Sequence, residues 1–135
     1  MKELTVAATT QNIETVTDFI NGELEEHNCS MKALMQIDIA VDEIFGNIAH
    51  YAYAPQTGDA TVRVEISENP SVAVITFVDK GIPYNPLEKE DPNVNLSIEE
   101  REIGGLGIFM VKKSMDELSY EYKDGQNILT VKKAI

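Results

Sequence analysis

The sequence predicts an α+β fold: a two-layer sandwich in which a mostly antiparallel mixed sheet carries three helices on one face. Three observations lead there. Most strand-like runs follow one another across short turn-forming joints, which makes hairpins. Only three segments carry helical periodicity, too few to cover both faces of a sheet. The chain, at 135 residues, is the size of one domain, read as 1–135.

The elements follow in order. Leu4, Val6 and Ala8 alternate with polar residues and read as a strand. After Thr9 to Asn12, Ile13, Val16, Ile20 and Leu24 recur at helical spacing, and that helix should end near His27 and Asn28. Ser30 is a fair N-cap for a second helix, whose stripe runs through Ile37, Val41, Ile44, Ile48 and Ala52 until Pro55 stops it. Thr57-Gly58-Asp59 is turn chemistry. The β-rich runs 60–67 and 72–79, joined by Glu68 to Ser71, read as a hairpin. Periodicity is then lost over 85–103, which holds three asparagines and six carboxylates. Long loops of this kind inside compact domains are usually functional or disordered. Gly104-Gly105-Leu106-Gly107 opens a third helix with Ile108, Val111 and Met115 inward. A last hairpin turns around residues 123–126.

Charge and composition exclude several functions. With 11 basic against 23 acidic residues, the net charge is −12 and no basic stripe appears. Nucleic-acid binding and an anionic membrane surface both require clustered cations, so neither is expected. No apolar run approaches the roughly 20 residues that span a bilayer. The start, Met1-Lys2-Glu3-Leu4, lacks the apolar core of a signal peptide. One cysteine, Cys29, makes no internal disulfide, which favours a reducing, cytoplasmic setting.

Three places carry chemistry. Glu43 and Asn47 lie four apart on the second helix, hence about 40° apart in projection. A carboxylate and a carboxamide so placed could hold a hard cation and orient a hydroxyl; alone they also fit a solvated polar face. Asp79-Lys80-Gly81 ends an apolar strand. Its carboxylate could accept from an exocyclic amine while Gly81 admits a flat ring, or the segment is an ordinary turn. The glycines before the third helix suit phosphates at a helix N-terminus, or serve as a hinge. They match neither a Walker loop nor Gly-x-Gly-x-x-Gly.

Their order resembles the GHKL (Bergerat-fold) ATPase superfamily over essentially the whole chain. More narrowly, Glu43-Ile44-Phe45-Gly46-Asn47-Ile48-Ala49-His50-Tyr51-Ala52-Tyr53, Asp79-Lys80-Gly81-Ile82-Pro83-Tyr84-Asn85-Pro86 and Gly104-Gly105-Leu106-Gly107 look like the anti-sigma-factor serine/threonine kinases. The resemblance implies ATP and Mg²⁺ as cofactors. Glu43 would be the general base and Asn47 the Mg²⁺ ligand. Asp79 would read the adenine amine, with Gly81 supporting the turn. Gly104, Gly105, Leu106 and Gly107 would form the phosphate-binding start of the helix. Residues 85–103 would be a lid, with Arg101 steadying phosphate charge.

The implied partners are a small antagonist-type protein substrate and a sigma factor, with a homodimer as the implied assembly. Two features depart from the family pattern. Tyr51 stands where many members have histidine, with His50 one residue earlier, and the lid is acidic. A nucleotide-dependent binding switch with little phosphoryl transfer is the alternative function. A detached histidine-kinase catalytic domain is a third. Tyr51, Tyr53 and Tyr84 read as core or pocket lining in preference to interface aromatics.

Overall fold

A computed structural model of the chain describes residues 1–88 and 105–135. Among the described residues, five strands, β1 (Lys2–Ala7), β2 (Asp59–Ser67), β3 (Val72–Asp79), β4 (Glu117–Lys123) and β5 (Gln126–Ala134), form one sheet in the order β1-β2-β3-β5-β4. A mostly antiparallel sheet was expected; all four pairings described are antiparallel. The helices are α1 (Ile13–Glu26), α2 (Met31–Asn47) and α3 (Gly105–Ser114).

Strand alternation decides which side the helices cover. Ala60, Val62 and Val64 of β2, Ala73, Ile75 and Phe77 of β3, and Leu129 and Val131 of β5 are all buried in one core. Against them pack Val16, Ile20 and Leu24 of α1, Ile37, Val41, Ile44 and Phe45 of α2, and Val111 of α3. All three helices therefore share one face, as expected of a two-layer sandwich.

The joints use local chemistry. Asn28 adopts a left-handed conformation (φ 56°) after α1. Its N–H donates to Glu25 O and that of Cys29 to Leu24 O, the Schellman pattern that satisfies helix-end carbonyls. Ser30 caps α2 by accepting from the Ala33 N–H at 3.2 Å. Asp124 and Gly125 both have positive φ, 55° and 75°, in the two-residue turn between β4 and β5.

Two features were not expected. The second helix does not run as regular α-helix to Ala52, because Ile48–Ala52 is a π-helical turn. The aperiodic stretch from 85 also begins ordered: Pro86–Glu88 is a 3-10 turn, with Pro86 buried and Leu87 packed on the core. The rest of the expected lid lies outside the described residues. Among the described residues no helix is long and apolar enough to cross a membrane.

Candidate functional site

The π-helical turn at the end of α2 lies against the loop that leaves β3. The N–H of Ile82 donates to Ala52 O at 3.0 Å. A Cβ at Gly81 would meet that same oxygen at 2.2 Å, so the glycine is required by backbone packing. Tyr53 adds a second tie. Its hydroxyl donates to Asp59 O at 2.6 Å and accepts from the Lys80 N–H at 2.7 Å, linking the start of β2 to the end of β3. Burial pushes the Tyr53 phenol upward.

Between the helices and the sheet end lies a cavity of about 380 Å³. Ile44, Ile48 and Ala52 wall it from the α2 side, Ile108 from α3, and Phe77 and Leu129 from the sheet. Tyr51 and Tyr84 line it while remaining 62% and 48% exposed, which puts them at its rim. Tyr53 packs against the core and is not part of the lining. Asn47, Asp79, Tyr120 and Asn127 supply polar groups in an otherwise apolar wall. Sites for small molecules have this character: largely apolar, with a few placed polar atoms.

Asp79 is 5% exposed. Strand alternation turns it to the helix side with Phe77 and Ile75, and its β5 partner in register is Asn127. Its Oδ1 accepts from the Gly81 N–H and from Asn127 Nδ2, each at 2.9 Å. Nδ2 also faces the carbonyls of Ile82 at 2.9 Å and Gly81 at 3.5 Å. The Oδ1 of Asn127 accepts from the Tyr84 N–H at 3.1 Å and from the Tyr120 hydroxyl. Burial raises the pKa of that phenol too. Asn127 was missed by sequence reasoning, although a signal existed: it occupies an inward position in phase with Leu129 and Val131, where an apolar residue is the rule.

On α2, Asn47 Nδ2 donates to Glu43 Oε1 at 3.3 Å, so the expected pair does meet. Only Asn47 of the two lines the cavity. The Glu43 carboxyl instead lies against α3, where a Cβ at Gly107 would stand 2.1 Å from Oε2 and 2.2 Å from Cδ. Gly107 therefore makes room for this carboxylate at the first turn of α3, a place that favours negative charge. Gly105 begins α3, with Leu106 after it. Gly104 and Arg101 lie outside the described residues. Glu43, Asn47, Asp79, Gly81 and Gly107 are thus gathered around one end of the sandwich.

The residues suit a purine nucleotide. The apolar walls leave room for a ring, and the Asp79 carboxylate stands among them as a hydrogen-bond acceptor. Among the described residues no cluster of three or more His, Cys, Asp or Glu could hold a metal by itself.

An antiparallel sheet covered on one face, with a ligand-sized cavity between the α2 end, the β3 end and a glycine-rich helix start, is the arrangement of a GHKL-type ATPase domain. The chain belongs to the histidine kinase-like ATPase domain family, whose model matches residues 6–133. It is 26% identical over 102 residues to the serine/threonine-protein kinase BtrW of Bordetella bronchiseptica, covering 76% of this chain and 71% of that protein. It is also 26% identical over 98 residues to the serine-protein kinase RsbW of Bacillus mycoides, covering 70% of this chain but 60% of the relative. To the anti-sigma F factor of Caldanaerobacter subterraneus it is 26% identical over 129 residues, covering 96% and 89%.

Proposed function

We propose that this chain is an ATP- and Mg²⁺-dependent serine/threonine protein kinase of the anti-sigma type, acting on a small antagonist protein in the cytoplasm. The observation that carries the nucleotide half is Asp79, buried at the end of an apolar cavity with its carboxylate held by the Gly81 N–H and Asn127. There it would accept the adenine amine while the apolar walls hold the ring. The names of the relatives support the kinase half, and that of the anti-sigma F factor supports a sigma factor as partner.

In this reading Asn47 would hold the Mg²⁺ through its amide oxygen, since its Nδ2 donates to Glu43. Gly105, Leu106 and Gly107 would offer backbone N–H groups to the phosphates at the start of α3, and Gly104 and Arg101, which lie outside the described residues, are proposed to join them. Glu43 takes the proton of the attacking serine hydroxyl. The γ-phosphorus bonds to that oxygen as its bond to the β–γ bridging oxygen breaks, and ADP leaves. Phosphoryl transfer depends mainly on positioning and charge stabilisation. A positioned base adds about 10² to 10⁴ in rate, or roughly 3 to 5 kcal/mol.

Calorimetry with Mg-ATP on wild type and Asp79→Asn is the test. Micromolar binding in the wild type and none in the folded variant is expected; equal binding would remove the adenine assignment. Glu43→Ala should keep ATP and lose phosphate transfer to an antagonist protein. Wild-type ATP binding with no transfer to any antagonist offered would leave a nucleotide-dependent binding switch.

A further inference from the structure

We infer that Asn127, oriented by Tyr120, is a positioning residue that sets which purines the cavity accepts. The inference rests on the nucleotide reading above and adds a determinant of base selectivity that acts through Asp79.

The argument starts from hydrogen-bond inventory. A carboxamide has two N–H donors on nitrogen and two lone pairs on oxygen, and the two ends look alike in shape. At Asn127 the surroundings decide between them. The backbone N–H of Tyr84, which can only donate, reaches one atom at 3.1 Å, which must therefore be oxygen, and the Tyr120 hydroxyl donates to the same atom. Among the described residues the other end faces only acceptors: Asp79 Oδ1 and Ile82 O at 2.9 Å, and Gly81 O at 3.5 Å. A flipped amide would set oxygen against three oxygens. At 6% exposure the residue has little water to relieve that conflict.

The oriented amide has two effects. It ties the loop 81–84 to β5 through three backbone groups, so the segment that forms one cavity wall cannot drift from Asp79. It also places a second N–H on Asp79 Oδ1, which already accepts from Gly81. Both lone pairs of that oxygen are then used, and the plane of the carboxylate is fixed. The bonds of Asn127 are directed at the protein, so its influence on a ligand passes through Asp79 and the loop. An ionised carboxylate only accepts. A ring with an amine at the facing position gains a bond, whereas one with a carbonyl there meets oxygen with oxygen. Sites built to pair a specific donor reject the analogue that lacks it, because a buried polar group is left unpaired.

The experiment compares Mg-ADP with Mg-IDP, which differ at this position by amine against carbonyl, on the full chain by calorimetry. Thermal melts check folding. Wild type should prefer ADP by at least tenfold. Asn127→Asp keeps the shape and still accepts from Tyr84 and Tyr120, but it presents oxygen where nitrogen stood. Its ADP/IDP ratio should fall at least fivefold. Tyr120→Phe removes one of the two donors that orient the amide and should lower the ratio about twofold or more.

A purely structural role would weaken both nucleotides alike and leave the ratio unchanged. An unchanged ratio in folded Asn127→Asp overturns the inference. If that variant does not fold, an unchanged ratio in Tyr120→Phe overturns it instead. Wild type binding neither nucleotide would sink the nucleotide reading and the inference with it. Selective wild-type binding with ratios unmoved by the variants would sink the inference alone.

Discussion

A methyl group added at Gly81 would stand 2.2 Å from the carbonyl oxygen of Ala52, a backbone atom that cannot step aside. Gly81→Ala is therefore expected to cost about 1–3 kcal/mol and to push the loop off the π-helical turn, weakening nucleotide binding as well. Gly22 is the contrast. It lies inside α1 with nothing within 4 Å of an added Cβ, so Gly22→Ala should stabilise by about 0.5–1 kcal/mol. Thermal denaturation of both variants checks the opposite signs.

Asp38 gives a residue-scale prediction in pH. Burial is the main cause that raises its carboxyl pKa, reinforced by Asp18 and opposed by a hydrogen bond from Asn21. Its Oδ1 is buried without a hydrogen-bond partner among the described residues. A folded pKa above the unfolded one means that the native state holds the proton more tightly. The contribution of Asp38 to stability therefore falls as pH rises from the unfolded value through the folded one. Asp38→Asn should raise the melting temperature at pH 7 and have little effect at pH 3.

Among the elements, α2 has the sharpest start. Ser30→Ala removes the acceptor of the Ala33 N–H and should cost about 1 kcal/mol, read as a shift of the denaturant midpoint without a change in slope. That cap was legible in the sequence, as were the helix stripes. Val16, Ile20 and Leu24 recur with the helical period and are fully buried, and Ile108, Val111 and Met115 are buried as their spacing implied. The π-helical turn was not legible, since one wider turn leaves no mark on a hydrophobic stripe only five residues long. The order of Pro86–Glu88 was hidden by a segment that has no periodicity at all. For the site, the Glu43–Asn47 pair followed from helical spacing. Its approach to Gly107 did not, because that contact depends on how α2 and α3 dock, and no local pattern encodes docking. Asn127 is intermediate: its phase on β5 was readable, but its bonds to Asp79 require the β3–β5 register.

At the scale of the whole molecule, core and site are interleaved along α2. Phe45 has no exposure and sits between Glu43 and Asn47 in the sequence. Phe45→Ala should cost about 3–5 kcal/mol, whereas Asp79→Asn should affect binding far more than folding. Comparing melts with binding isotherms for the two variants separates support from recognition.

The sheet order has a consequence in time. The β2–β3 and β4–β5 pairings close over short turns and can form early, on the microsecond scale of hairpins. The pairing of β3 with β5 must instead bring together residues at least 48 positions apart, the separation of Asp79 and Asn127. Loop-closure entropy opposes that step until the core compensates for it. The two sides of the cavity lined by Asp79 and Asn127 thus belong to two different hairpins, and the pocket exists only once they have joined.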